Sequence, residues 1–160
     1  VKLAILQAQG LRALHEVDVA HGAFRPDHVI VHGQDQLKII GYGMSHLLGC
    51  GKQAPVLQGS PAYMAPEVLQ GGAADEKADI YSFGVTCYEM VARMIRSDGA
   101  VSGKYPFGRP RAINTVAADC PPQLAALIMA CIDSARAVRP KSFDRIADEL
   151  QQIKASLKGH

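Results

Sequence analysis

Several features that mark particular classes of protein are missing from this 160-residue chain. Lys and Arg are scattered without a basic run or interleaved aromatic residues, and the formal charge is only +2. We therefore expect no binding to nucleic acid. No uninterrupted apolar run approaches the ~18 residues that a membrane-spanning helix needs, so we expect no membrane insertion in this segment.

The four cysteines form no CxxC pair and lie far apart in the chain: Cys50, Cys87, Cys120 and Cys131. Two of them lie within helix-like apolar patterns, which favours buried, reduced thiols. Reduced thiols indicate a reducing compartment, so we expect the cytoplasm, although an even number of cysteines also fits a secreted chain. No signal-peptide pattern is present, and because Val1 is not an initiator we expect the chain to be part of a longer polypeptide.

Hydrophobic residues make up 48% of the chain and charged residues 20%, which is ordinary for one globular domain with a substantial core. The first 17 residues predict an amphipathic helix. Its apolar face is expected to carry Leu3, Leu6, Gly10, Ala13, Leu14 and Val17. Gly22 and Pro26 interrupt the pattern, so residues 18–27 are expected to form a loop.

A small β-hairpin is predicted next. Two β-branched runs, at 28–31 and 37–40, flank a polar turn. Residues 41–66 are rich in glycine, proline and polar side chains and predict a long loop. Because long loops inside compact domains are usually functional, this segment is a candidate for part of a site.

The remainder of the chain predicts three helices. Residues 77–94 are apolar on most sides, which is typical of a helix buried in the centre of a domain. A second helix is predicted over 121–135, beginning with prolines, and a third after Pro140, with Ser142 as its N-cap. The last two helices carry apolar stripes, made by Leu124, Leu127, Ile128 and Cys131 in one and by Phe143, Ile146, Leu150 and Ile153 in the other. The order predicts a mainly α-helical domain with one small hairpin.

Three short sequences carry a resemblance to a known family. GSPAYMAPEVLQG at 59–71 resembles the G-T-P-x-Y-M-A-P-E segment that ends the activation loop of Ser/Thr protein kinases. KADIYSFGV at 77–85 resembles the D-x-x-S-F-G opening of their central helix, and DSARAVRPKSF at 133–143 resembles the Arg-Pro turn before their last helix. In this order and at these separations, the three sequences together resemble the C-terminal lobe of the eukaryotic-type protein kinases.

This resemblance implies a protein kinase-like fold over residues 1–157, followed by a short tail at 158–160. The chain would correspond to the C-terminal lobe only, mainly α-helical, with one β-hairpin and a long activation-loop-like segment. Neither a G-x-G-x-x-G loop nor a V-A-I-K-like strand is present, so the N-terminal lobe is expected to be absent from this chain. No cofactor is accordingly expected here, and ATP binding is possible only if an N-terminal lobe exists in the longer polypeptide.

The sequence HGAFRPDHVIV, which begins at His21, aligns by this resemblance with the catalytic loop H-R-D-L-K-P-E-N. Ala23 then falls at the catalytic Asp and Gly22 at the Arg that receives an activation-loop phosphate. Arg25 falls at the catalytic-loop Lys, and His28 at the metal-binding Asn. The resemblance therefore implies that the base and one metal ligand have been replaced.

The D-F-G motif aligns in the same way with the residues that follow the hairpin. Tyr42 and Gly43 match the Phe and Gly, whereas Gly41 replaces the Asp that would hold Mg²⁺. No intact catalytic residue and no metal site are expected, and neither a cofactor nor Mg²⁺ is expected to bind. Asp27 could supply a carboxylate in place of Ala23, but it follows Pro26, at a position without a fixed chemical role in the family.

Other residues are implied to keep the shape of the lobe. Glu67 is expected to form a partly buried bidentate pair with Arg139. Asp79 is expected to accept hydrogen bonds from the backbone of the catalytic loop at His21 and Gly22.

Two further positions follow from the resemblance. Tyr42, together with His21 and Asp79, is expected to continue the stacked spine that links the two lobes. Ile30 is expected to lie at the floor of the adenine pocket.

The substrate side of the lobe leaves two interpretations open. Ser60 and Arg25 occupy positions that orient the substrate hydroxyl in the family, so with Tyr63 they could border a peptide or partner groove, or only make loop hydrogen bonds.

His28 and His32 are four residues apart, but on a strand this separation spans ~13 Å, so the two rings are not expected to share a zinc ion.

Taken together, these residues predict a pseudokinase-type module that binds, scaffolds or regulates without conventional phosphoryl transfer. Its partners are expected to be proteins, such as an active kinase or another domain of the same chain. The expected surfaces are the segment from Ser60 to Tyr63 and the insertion at 96–110. The alternative is a divergent Ser/Thr kinase with weak or unconventional ATP-dependent transferase activity.

Overall fold

The computed structural model describes residues 1–33, 36–43, 60–92 and 110–158. The helices are α1 (Lys2–His15), α2 (Pro66–Leu69), α3 (Glu76–Ala92), α4 (Ile113–Val116), α5 (Pro122–Cys131) and α6 (Phe143–Ser156). Two single turns of 3₁₀ helix, Pro26–His28 and Pro61–Tyr63, and the strands β1 (Val29–His32) and β2 (Gln36–Ile39) complete the described elements. None of the helices in these ranges is long and apolar enough to cross a membrane.

Helix α3 lies at the centre of the domain. Every residue from Ala78 to Glu89 is buried, which confirms the prediction of a central helix. A Cβ atom added to Gly84 would lie 2.6 Å from Cβ of Cys131 and 2.7 Å from Cγ2 of Ile132. Since real Cβ atoms do not approach so closely, α3 and α5 pack against each other at a position that only glycine allows.

The two helices that follow α4 match their predicted stripes. The apolar residues predicted for α5 and α6 are all buried. At the start of α6, Oγ of Ser142 accepts a hydrogen bond from the backbone N–H of Arg145 at 3.4 Å, which satisfies one of the unpaired donors of the first turn.

Helix α1 buries a different face from the one predicted. The buried residues are Ala4, Ile5, Gln7, Ala8 and Leu11, whereas Leu3, Ala13 and Val17 are exposed. This helix packs against α6, β2 and α3 at once. Strand β2 approaches the helix closely at Gly10, where an added Cβ atom would lie 2.7 Å from Cδ1 of Ile39, so packing against three elements determines which face is buried.

The hairpin begins one residue later than predicted. Strands β1 and β2 are antiparallel, with Val29 opposite Ile39 and His32 opposite Gln36. His28 lies in the 3₁₀ turn, where its N–H donates to O of Arg25 at 3.0 Å. The interpretation of His28 and His32 as residues of one strand is therefore wrong.

Several predictions fall outside the described residues. These are the turn at 34–35, most of the long loop (44–59, which includes Cys50), the insertion at 96–110 except Pro110, and the end of the tail at 159–160.

Candidate functional site

The loop at residues 18–25 is held by the carboxylate of Asp79, which lies near the start of α3 and is only 1% exposed. Its Oδ2 accepts the backbone N–H of His21 at 2.7 Å, and its Oδ1 accepts the N–H of Gly22 at 2.9 Å. The structure thus contains both hydrogen bonds expected for Asp79. Because ionised acceptors make strong hydrogen bonds, this one side chain fixes the loop against the central helix.

His15, at the end of α1, is a third partner of Asp79 that the sequence did not reveal. Its Nε2 lies 2.8 Å from Oδ2 of Asp79, and its ring stacks on Phe143 with a centroid distance of 5.6 Å. Burial alone would lower the pKa of His15, but the hydrogen bond to Asp79 and the negative charge of Asp79 outweigh it and raise this pKa. Nothing in the helical pattern of residues 1–17 distinguishes His15 from an ordinary surface residue.

The raised pKa of His15 predicts a pH dependence of stability. A raised folded-state pKa stabilises the protein fully below the unfolded-state value, near 6.5, and this stabilisation is lost as the pH rises through the folded-state pKa. We therefore expect the difference in unfolding free energy between the wild type and His15→Gln to shrink as the pH rises above 6.5. Urea unfolding of both proteins across this range measures it, and a difference independent of pH would contradict the pairing with Asp79.

His21 and His28 form a stacked pair beside the end of β2. His21 is fully buried, and burial lowers its pKa; its Nε2 donates to O of Ile40 at 3.1 Å, because a carbonyl oxygen can only accept. The ring of His28 stacks on it at a centroid distance of 5.4 Å and an interplanar angle of 16°. Nδ1 of His28 lies 2.9 Å from O of Ala23. His28 is therefore fixed on its edge by a hydrogen bond and on its face by another ring.

Tyr42 lies at the surface of the described residues. Its side chain is 52% exposed, and the ring stacked on His21 in these ranges is that of His28. The place of Tyr42 in a spine that links two lobes remains a prediction. Ile30 is 48% exposed on β1, and its assignment to an adenine pocket remains a prediction.

Two of the expected groove residues contact each other through the backbone, where the N–H of Tyr63 donates to O of Ser60 at 3.0 Å. Ser60 and Tyr63 line a cavity of about 10 Å³ together with Ala23, which is room for roughly one water molecule. Arg25 instead forms an ion pair with Asp27 at 3.3 Å, and the Asp27 side chain is 74% exposed. The described contacts of Arg25 therefore do not include the expected hydroxyl of Ser60.

The segment from Ser60 to Tyr63 is fastened to α3 at two points. Oγ of Ser82 donates to O of Tyr63 at 2.8 Å, and the Tyr63 hydroxyl donates to Oε2 of Glu89 at 2.8 Å. Ser82 and Glu89 are two helical turns apart and so lie on the same face of α3. Burial raises the pKa of Glu89. A buried acid at this position was not predicted, because a helix that is apolar on most sides still leaves one face for a charged residue.

Arg139 and Glu67 form the bidentate pair expected from the resemblance. The two guanidinium nitrogens Nη1 and Nη2 donate to Oε1 and Oε2 of Glu67 at 2.6 and 2.9 Å. The remaining donors bond to backbone oxygens of Asp133, Lys77 and Ser134. All five N–H donors of the guanidinium are thus used, which is the condition for burying a charge without a large penalty.

A divalent cation of the kind that protein kinases hold does not fit the residues present. Mg²⁺ prefers oxygen ligands, and Ala23 and Gly41 offer no side-chain oxygen, while His28 offers only a ring nitrogen. In the described ranges, no group of three or more His, Cys, Asp or Glu side chains could hold a metal ion.

Comparison with known proteins identifies the family. Residues 2–146 match the model of the protein kinase domain. The chain is 32% identical over 155 residues to a probable LIM domain-containing serine/threonine-protein kinase of Dictyostelium discoideum, covering 94% of this chain and 23% of that protein. It is also 32% identical over 161 residues to the mouse dual specificity testis-specific protein kinase 1, covering 94% of this chain and 26% of that protein.

A bacterial relative, serine/threonine-protein kinase pkn2 of Myxococcus xanthus, is 27% identical over 173 residues, covering 97% of this chain and 21% of that protein. The chain thus spans about a quarter or less of the length of these curated relatives. With a family model that matches nearly its whole length, this chain belongs to the protein kinase domain family.

Proposed function

We propose that this chain is the C-terminal lobe of a pseudokinase, a kinase-type domain that binds or regulates other proteins without conventional phosphoryl transfer. The observation that carries the proposal is the contrast between two groups of residues. The braces of the lobe, Glu67 with Arg139 and Asp79 with the loop, are present, whereas Ala23 and Gly41 lack the carboxylates expected there.

The missing side chains are those that phosphoryl transfer depends on. In protein kinases a carboxylate accepts the proton of the substrate hydroxyl, and an Asp and an Asn hold the metal ions that neutralise charge on the phosphates. Loss of a general base alone typically costs ~10²–10⁴-fold in rate. Loss of the metal ligands adds to this cost, because the phosphate charge is then uncompensated.

The alternative is a divergent Ser/Thr kinase with weak activity. Two observations support it: Asp27 provides an exposed carboxylate in the same loop, and the relatives are named as protein kinases. Against it, Asp27 is paired with Arg25 at 3.3 Å and lies beyond Pro26 from the position of Ala23.

A transfer assay on the full-length protein tests the proposal. We expect no transfer of labelled phosphate from ATP and Mg²⁺ to peptide substrates, and no increase in melting temperature when Mg²⁺ is added to ATP. Asp27→Asn is the matched variant. Transfer by the wild type that disappears in Asp27→Asn would contradict the proposal and establish the alternative.

The proposed role requires protein partners. The segment from Ser60 to Tyr63 is one proposed contact surface, and the insertion at 96–110 is a second. An active kinase or another domain of the same polypeptide is the kind of partner proposed, and the cytoplasm the proposed location. The described cysteines, Cys87, Cys120 and Cys131, are free thiols, which supports a reducing compartment.

A further inference from the structure

Positions 28 and 41 lie against each other, although the hairpin separates them in sequence. The backbone N–H of Ile40 donates to O of His28 at 3.0 Å, which brings the next residue, Gly41, under the imidazole ring. A Cβ atom added to Gly41 would lie 3.2 Å from both Cε1 and Nε2 of His28 and 3.3 Å from Cδ2. An ordinary contact between such atoms is ~3.5–4.0 Å, so a side chain at position 41 requires the ring to move.

The ring of His28 is not free to move. Its Nδ1 is hydrogen-bonded to O of Ala23 at 2.9 Å, and its face is stacked on His21, which is itself buried and bonded to Ile40. Displacing the ring would break the hydrogen bond and the stack together. The space above Gly41 is thus occupied by a side chain with a defined position.

We infer that His28 and Gly41 are one matched replacement. The imidazole of His28 occupies part of the volume that a side chain at position 41 needs, so a carboxylate at 41 is less destabilising when the ring at 28 is removed. The inference rests on the proposed function and deepens it. If the proposed function holds, the position that would hold a metal in the family is filled here by the ring of His28. A single substitution at position 41 then does not restore the metal site.

Gly43 provides the matched control for this inference. Both glycines have φ of +77°, but among the residues that the structure describes, a Cβ atom added to Gly43 would meet nothing within 4 Å. Gly41→Asp and Gly43→Asp therefore impose the same type of backbone cost and the same charge, and differ in the contact with the ring. We expect Gly41→Asp to melt roughly 3–8 °C below Gly43→Asp, the shift that overpacking produces in a chain of this length.

Removing the ring completes the test. His28→Ala should raise the melting temperature of Gly41→Asp, but should lower that of Gly43→Asp as it lowers that of the wild type. Equal melting temperatures for the two aspartate variants, or additive effects of His28→Ala in both, would overturn the inference. If Gly41→Asp by itself leaves the chain unfolded, circular dichroism shows it. In that case, folding of the double variant His28→Ala/Gly41→Asp supports the inference. If the double variant is also unfolded while His28→Ala by itself folds, the inference is refuted.

These outcomes are separable from those of the transfer assay. A chain that transfers phosphate and still shows the coupling between 28 and 41 refutes the proposed function only. A chain that transfers none, and in which the two substitutions are additive, refutes the matched replacement only.

Discussion

Replacing Arg139 with alanine is expected to lower the free energy of unfolding by about 3–5 kcal/mol, or the melting temperature by roughly 10 °C. The Arg139 side chain is fully buried, and that of Glu67 is 18% exposed. Without the guanidinium, the carboxylate of Glu67 and several backbone oxygens lose their donors inside the protein. Thermal and urea unfolding of the full chain measure the loss.

The control for this prediction is a substitution of an exposed arginine. Arg145 makes only a 3.9 Å ion pair with Glu149 on the surface of α6, so Arg145→Ala should change stability little. Arg139→Lys keeps the charge but not the planar fork, and should lie between the wild type and Arg139→Ala. If Arg139→Ala were as stable as Arg145→Ala, the pair between Glu67 and Arg139 would contribute little to the stability of the fold.

The same pair predicts sensitivity to acid. Burial raises the pKa of Glu67, but the hydrogen bonds and charge of Arg139 outweigh burial, so the net pKa lies below its ordinary value of 4.5. The stabilisation is therefore present above pH 4.5 and is lost as the pH falls through the folded-state pKa.

Asp79→Asn is expected to lower the free energy of unfolding by about 2–4 kcal/mol. The variant keeps the shape of the side chain, but one oxygen becomes an NH₂ group that faces a backbone N–H of His21 or Gly22. It also removes the charge that pairs with His15. The loop at 18–25 should unfold locally before the rest of the domain, because its hydrogen bonds to Asp79 attach it to α3.

Hydrogen exchange distinguishes this local effect from a general loss of stability. The amides of His21 and Gly22 should exchange faster in Asp79→Asn, while those in the middle of α6 should follow the global stability. Asp144→Asn, at an exposed carboxylate, is the control and should leave both unchanged. Unaltered protection of His21 and Gly22 in Asp79→Asn would contradict the role assigned to Asp79.

The helices that the sequence predicted best are those with the most regular apolar pattern. The stripe of α6 has a clear helical period and its N-cap is local, so periodicity and one hydroxyl suffice to predict both. The central burial of α3 follows from a segment that is apolar on most sides. By contrast, α4 escaped prediction because a four-residue helix has no measurable period.

Errors arose where several elements compete for one face or one residue. Helix α1 contacts three elements, and one of them, β2, approaches it closely at Gly10. The boundary of β1 moved because Pro26 starts a 3₁₀ turn that takes up His28. In both cases the local pattern was compatible with more than one packing arrangement.

The amino-acid sequence by itself determined the family, the order of the main elements and the absence of a carboxylate at positions 23 and 41, because motifs and periodicity are local properties of the chain. Tertiary structure alone decided that His15 joins Asp79, that Glu89 receives the Tyr63 hydroxyl, and that the ring of His28 lies over Gly41. Each of these contacts joins residues from different elements. Their distances depend on how those elements pack, which no short stretch of sequence specifies.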